Sequence, residues 1–210
     1  LVLTSAIWGF GFVAQRLGAD HMGAMSFNAA RFAIGSLSLL PLIWWFARRR
    51  AATPLVVPEP PAGEVYDETP PAAGLGRSPF LPGLAAGGVL FAAAGLQQAG
   101  LATTTAGKAG FITGLYIVLV PVLGLLVGHR ASRAVWVGLA LAVPGLYLLS
   151  MTEDLTIAPG DLLVLAGAVF WAVHILVIDH FVRTVDALRL SAAQFAACAL
   201  LSGGLAAPME

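Results

Sequence analysis

AGKAGFITGLYIVLVPVLGLLV, residues 106–127, carries a single charge, Lys108, close to its start, and only apolar, small or weakly polar side chains after it. A helix that crosses a bilayer needs about 20 predominantly apolar residues, so this stretch predicts a transmembrane span. Working outward in both directions, further windows of similar character cover 1–16, 24–47, 80–100, 134–151, 160–178 and 189–207. Of the 210 residues, 59% are hydrophobic and 10% charged, where a soluble domain has roughly 25% charged. An ordinary soluble protein is therefore excluded, and the sequence predicts an all-α, polytopic transmembrane helix bundle with about seven spans present.

The 11 basic and 11 acidic residues balance to a formal net charge of zero. No bulk positive field draws the chain to nucleic acid, and the expected partners are membrane lipids and a small-molecule substrate. The single cysteine, Cys198, cannot form an intramolecular disulfide. Connections between spans are short except for 51–79, which holds seven of the 13 prolines together with Glu59, Glu64, Asp67 and Glu68. That composition cannot bury a core and reads as a disordered loop. Arg48, Arg49, Arg50, Arg77, Arg130, Arg133, Arg183 and Arg189 all flank spans on one side. Basic flanks stay in the cytoplasm, which puts the N-terminus inside and the Pro-rich loop in the cytoplasm. Residue 1 is a leucine with no basic region before it, so the first span is not a signal peptide and the protein is expected to start upstream.

Sliding the chain against itself gives one informative offset, 163 residues. Trp8 in AIWGF meets Trp171 in VFWAV, and NAARFA at 28–33 meets SAAQFA at 191–196, pairing Phe32 with Phe195 and Arg31 with Gln194. The repeat makes the sixth and seventh spans counterparts of the first and second. Five spans, an odd number, separate each pair, so the copies have opposite orientations, the inverted-topology arrangement of many secondary transporters. Residues 1–151 form the first five-span repeat and 159–210 the first two spans of a second. Counterparts of spans three to five are expected after Glu210, for ten spans in all.

LTSAIWGFGFVAQR at 3–16, GLQQAGLATTTAGKAGFITGLYIVLVPVLGLL at 95–126 and VGLALAVPGLYLLS at 137–150 resemble the EamA family of the drug/metabolite transporter superfamily. The pattern combines a Trp-Gly in span one, an Arg in span two, Pro121 late in span four and a glycine-rich span five. The resemblance implies a bacterial inner-membrane carrier, in many members an exporter of amino acids or other small metabolites, built from two five-span repeats and needing no cofactor. This chain departs from the pattern at His129, where the family usually has an acid, in the length of the 51–79 loop, and in lacking the last three spans, so the resemblance implies a fragment.

The candidate substrate-binding residues are Trp8, Gln97, Lys108, Tyr116, Trp171 and His174. Trp8 and Trp171 fall mid-span, away from the interfacial depth where tryptophan anchors a membrane protein, and line either a cavity or the core. Lys108 opens span four and either snorkels to headgroups or offers a cation to an anionic substrate. Arg31, about a turn and a half inside span two, reads as a structural anchor. Gln97 and Gln98, with Gln15 and Asn28 at similar depth, are packing amides or cavity-lining groups. Thr113 and Tyr116 share one face of span four. His174, three residues after Trp171, is either a satisfied core histidine or a proton carrier. Transport is expected to run on the substrate's own gradient or on protons. Gly83 with Gly87, Gly110 with Gly114 and Gly124 with Gly128 have the spacing that lets helices approach closely, and Pro121 and Pro144 predict kinks.

Other classes fare worse. A retinal protein needs a lysine in its last span, and 189–207 has none. The spans contain no GxSxG, no HExxH and no buried carboxylate pair, and the four histidines are scattered rather than set at metal-ligand spacing. Neither an enzyme nor a metal site is expected. A non-transporting assembly or scaffold subunit is the remaining alternative.

Overall fold

A computed structural model describes residues 2–52, 77–150 and 158–210. Among them are eight helices: α1 (Val2–Ala19), α2 (Ala24–Ala52), α3 (Phe80–Leu101), α4 (Ala106–Gly114), α5 (Tyr116–Leu126), α6 (Arg133–Ser150), α7 (Pro159–Phe181) and α8 (Ala187–Met209). The described residues contain no strand. Five segments are long and apolar enough to cross a membrane: Ala24–Arg49, Phe80–Leu101, Ala106–Leu126, Pro159–Phe181 and Ala187–Pro208. The chain is thus a multi-pass helical membrane protein.

Two of the seven expected spans fall short of that standard. α1 is 18 residues long and carries Gln15 and Arg16 near its end, which lowers its apolarity. In α6 the apolar stretch is Arg133–Gly145. Most of the expected Pro-rich loop, 53–76, lies outside the described residues, as do Glu153 and Asp154.

The stretch that decides the fold is broken rather than continuous. Thr105 caps α4, its hydroxyl accepting from the Lys108 N–H at 3.2 Å, the usual way to satisfy a free donor of a first turn. α4 stops at Gly114, Leu115 closes it with a bond from its N–H to the Ile112 carbonyl at 3.2 Å, and α5 begins at Tyr116. The interruption therefore falls at Leu115 and not at Pro121, which sits inside α5. Gly114 costs the most backbone entropy to hold in a helix, and the Pro121 ring crowds the Ile117 carbonyl one turn upstream. Together they weaken the ladder between them. α6 runs through Pro144 without a break.

Gly128 also differs from expectation. It has φ +84°, its N–H bonds to the Leu125 carbonyl at 3.2 Å, and the His129 N–H bonds to the Gly124 carbonyl at 2.8 Å. That is a left-handed helix stop of the Schellman type, so Gly128 terminates α5 instead of packing it.

α3 is the centre of the bundle, with Ala86, Leu90, Ala93 and Ala94 buried. Its glycines Gly83 and Gly87 meet Ala193 and Ala197 of α8 so closely that a Cβ at either would fall within 3.0 Å of the partner Cβ. Sequence number rises on both helices in step, so α3 and α8 run parallel. Against α7 the order reverses: Gly100 meets Gly160, and Gly167 meets Ala93. α2 and α8 are antiparallel too. Glu210 at the end of α8 accepts from the N–H groups of Met25 at 2.7 Å and Ser26 at 3.1 Å, at the start of α2, and the Ser36 hydroxyl donates to the Ala192 carbonyl at 2.9 Å. Asp161, in the first turn of α7, is buried; it accepts from the Thr104 hydroxyl and from the Ala158 N–H at 2.8 Å. This carboxylate ties the α3–α4 turn to the start of α7.

At the other end of α2, Arg48 stacks on Trp44 at 3.8 Å and Arg49 on Trp45 at 4.1 Å. A small cleft there joins Ile43, Phe46 and Ala47 to Asp186, which caps α8, and to Leu188 and Arg189 of its first turn. Arg183 pairs with Asp179 at 2.9 Å beside it. Basic residues and tryptophans thus gather at one end of the bundle, as at a membrane interface.

Candidate functional site

A cavity of about 320 Å³ opens between α1, α2, α3, α7 and α8. Its walls are mainly aromatic: Trp8 and Phe12 from α1, Phe32 from α2, Trp171 from α7 and Phe195 from α8. Two pairs in this wall are related by the 163-residue offset. Phe32 and Phe195 stand with ring centroids 5.6 Å apart, and Trp8 and Trp171 line the same space. Trp8 is 49% exposed, so the cavity is open on the α1 side.

Amides set the polar register. The Trp171 indole N–H donates to Gln97 Oε1 at 2.6 Å, and Gln97 Nε2 donates to Gln15 Oε1 at 3.2 Å. Gln15 Nε2 in turn donates to the Gly11 carbonyl at 3.2 Å, while Gln98 Nε2 donates to the Gln15 carbonyl at 2.9 Å. Each amide is oriented by the next, so the faces of Gln15 and Gln97 turned to the cavity are fixed before any ligand arrives. Such preorganisation spares a ligand the cost of ordering those side chains.

Of the residues singled out from the sequence, Trp8, Gln97 and Trp171 line this cavity. Tyr116 stands behind Trp8, edge to face at 6.2 Å and 61°, and supports that wall. His174 is buried beneath Trp171, edge to face at 5.8 Å, and its Nε2 meets Gln194 Oε1 at 2.7 Å. Lys108 sits at the capped start of α4, apart from the cavity wall. Gln194, the uncharged counterpart of Arg31, serves His174 rather than the cavity.

Sequence reasoning passed over Arg31 as a site residue. It lines the cavity, its guanidinium lies over Phe32 at 4.6 Å and Phe27 at 5.7 Å, and its buried Nε has no hydrogen-bond partner. The signal was present in the pairing of NAARFA with SAAQFA, which set Arg31 beside the Phe32 of a matched pair. Phe12, Phe32 and Phe195 were also missed as lining residues. Asn28, Gln98, Thr113 and Ser202 each hold a buried side-chain atom without a partner; such groups are rare in finished cores.

An all-helical, multi-pass bundle with an aromatic-walled cavity that carries a few polar groups has the build of a membrane transporter. The comparisons with known proteins agree. The sequence model of the EamA-like transporter family matches residues 1–151, and the chain belongs to that family. An uncharacterized transporter from Archaeoglobus fulgidus is 30% identical over 209 residues, covering 98% of this chain and 56% of the relative. The chain thus spans little more than half the length of the curated relative it matches. No solved structure matches it.

Proposed function

We propose that the protein is a secondary carrier of a small metabolite, working by alternating access around the cavity between α1, α2, α7 and α8, with export as the direction of net transport. The observation that carries this reading is the convergence of repeat-related aromatic pairs, Trp8 with Trp171 and Phe32 with Phe195, on one cavity. A site at the junction of two inverted repeats is where carriers of this architecture bind substrate. The opposed directions of α2 and α8 support the inverted repeat. In this reading 1–151 is one repeat, 159–210 opens the second, and the Arg-rich end of the bundle faces the cytoplasm of a bacterial inner membrane. Trp8 and Trp171 hold the substrate body, Gln97 orients its polar part, and Tyr116 and His174 buttress the two tryptophans. The substrate's own gradient drives export, or a proton does so through groups beyond the described lining, which contains no carboxylate.

The test is Trp8→Ala in the full-length protein, assayed by transport into membrane vesicles at equal expression. Losing a half-exposed ring removes cavity wall without opening the core, so transport falls at least tenfold while the protein stays folded. A rate within about twofold of the parent removes Trp8 from the site. Comparing inside-out with right-side-out vesicles reads the direction; equal rates overturn export as a directional function.

A further inference from the structure

We infer that the cavity selects a carboxylate with an apolar or aromatic body, a net monoanion, and that Arg31 is the residue that binds its charged end. This deepens the carrier reading above and rests on it. The reasoning begins with charge. Arg31 is the one ionic side chain in the cavity wall, beside the neutral amides of Gln15 and Gln97 and the aromatic faces. A guanidinium keeps its charge under any biological condition. Among the described residues it has neither an ion pair nor a hydrogen-bond acceptor for its buried Nε.

Its buried Nε has no acceptor, and a buried donor left unpaired is costly. Arg31 lies seven residues beyond the start of α2 at Ala24, about 10 Å along the axis at 1.5 Å per residue. Its guanidinium is flanked by Phe32 and by Phe27, one turn nearer the start of α2. Stacking on ring faces satisfies the plane of the group and leaves its N–H edge for an acceptor. A carboxylate matches that edge with two parallel bonds.

The same wall discriminates against other head groups. A zwitterionic amino acid brings an ammonium as well as a carboxylate, and the lining has no acid to receive it. A cationic amine meets Arg31 as a like charge. A neutral amide forms weaker bonds to the guanidinium than an ion does. The cavity of about 320 Å³ leaves ample room for a single aromatic ring between Trp8 and Trp171 with a short acidic arm toward Arg31.

Four ligands that share one ring and differ in head group test this: phenylacetate, phenylacetamide, phenethylamine and L-phenylalanine. Equilibrium binding of each is measured to the full-length protein in lipid nanodiscs, for the parent, Arg31→Lys and Arg31→Gln. Phenylacetate is expected to bind at least tenfold more tightly than the other three. Arg31→Gln brings phenylacetate to within twofold of phenylacetamide and weakens phenylacetamide far less than phenylacetate, while Arg31→Lys keeps part of the preference. A purely structural arginine predicts something different: Arg31→Gln would weaken all four ligands alike, and that result overturns the proposal. Tightest binding by phenethylamine or L-phenylalanine also overturns it; if that binding is lost in Trp8→Ala, the carrier cavity stands and only the charge class falls. Binding of none of the four overturns the charge class, and an unaltered transport rate in Trp8→Ala then removes the cavity reading with it.

Discussion

The α3–α7–α8 side of the bundle and the α1–α2 side are built on different principles. Where α3 meets its neighbours, Gly83, Gly87 and Gly100 bring backbone against backbone or against alanine methyls, with no space for an added carbon. Asp161 pins the turn between α3 and α4 to α7. On the other side α1 has no buried residue, and Gly9 and Gly11 face open space. Large side chains rather than small ones define that region, and they leave a cavity between them. Close packing of small residues needs no side-chain entropy and gives a single geometry; aromatic walls around a void leave room for a ligand. The contrast assigns the scaffold to α3, α7 and α8 and the adaptable surface to α1 and α2.

The strongest way to break this comparison is Gly160→Leu. Its Cβ would fall within 3.0 Å of the Gly100 carbonyl oxygen, a backbone atom that cannot turn aside. Overpacking alone costs about 1–3 kcal/mol, and here it also wedges two helix ends apart, so no monodisperse protein is expected on size-exclusion chromatography. Gly88→Ala, on the same helix as Gly100 but facing open space, is the control; with nothing for the methyl to meet, it is expected to leave the fold intact and to stabilise the helix by about 0.5–1 kcal/mol. Equal behaviour of the two variants would erase the distinction between scaffold and surface.

Asp161→Ala comes next. It strands the Thr104 hydroxyl and the Ala158 N–H, and an abandoned buried donor costs about 1–3 kcal/mol. Thermal unfolding in detergent is expected to move to clearly lower temperature, with Asp161→Asn between the two because its amide oxygen still accepts. No change would show that the α7 start is held by helix packing alone.

The smallest effect sharpens the comparison at the α2–α8 edge. Partial burial raises the Glu210 pKa, but bonds from the Ser26 side chain and the Met25 and Ser26 N–H groups outweigh it and leave the carboxyl below its ordinary 4.5. A carboxyl held low in the folded state contributes stability above its unfolded pKa and loses it as pH falls through the folded value. Protection of the Met25 and Ser26 amides from hydrogen exchange, corrected for intrinsic rates, is therefore expected to fall as the solution is acidified below about 4.5 and to be pH-independent in Glu210→Gln.

Much of this was legible in the chain. Uninterrupted apolar runs mark α3, α7 and α8 to within a few residues, because lipid imposes a length that hydropathy records directly. The mid-span placement of the repeat-related Trp8 and Trp171 made them candidates for the cavity wall, whereas the Phe32–Phe195 pair at the same offset was legible only as a mark of the repeat. What spacing could not carry was the consequence of packing. Arg31 read as an anchor, since a permanent charge inside a span must find water, a headgroup or an internal partner; only the packing sets its guanidinium against Phe27 and Phe32 on the cavity wall. His174 and Gln194 look unrelated in sequence because their bond crosses between helices. Gly128 fitted a packing spacing, but its left-handed conformation depends on where α5 stops. Asp161 was overlooked although Pro159 and an acid two residues later form a recognisable helix start.

The antiparallel seating of α8 on α2 has an electrical side. Each helix carries roughly half a positive charge at its N-terminus and half a negative charge at its C-terminus, so two such helices laid head to tail largely cancel, and the Glu210 carboxylate adds a full negative charge beside the start of α2. Arg31 is then left as the one formal charge of that pair that lies away from the helix ends, where Arg48, Arg49, Arg50, Arg189 and Glu210 stand. A membrane potential exerts about 2.3 kcal/mol on a unit charge carried across 100 mV, and between the ends of these two helices it acts on the charge of Arg31 rather than on the paired helix dipoles.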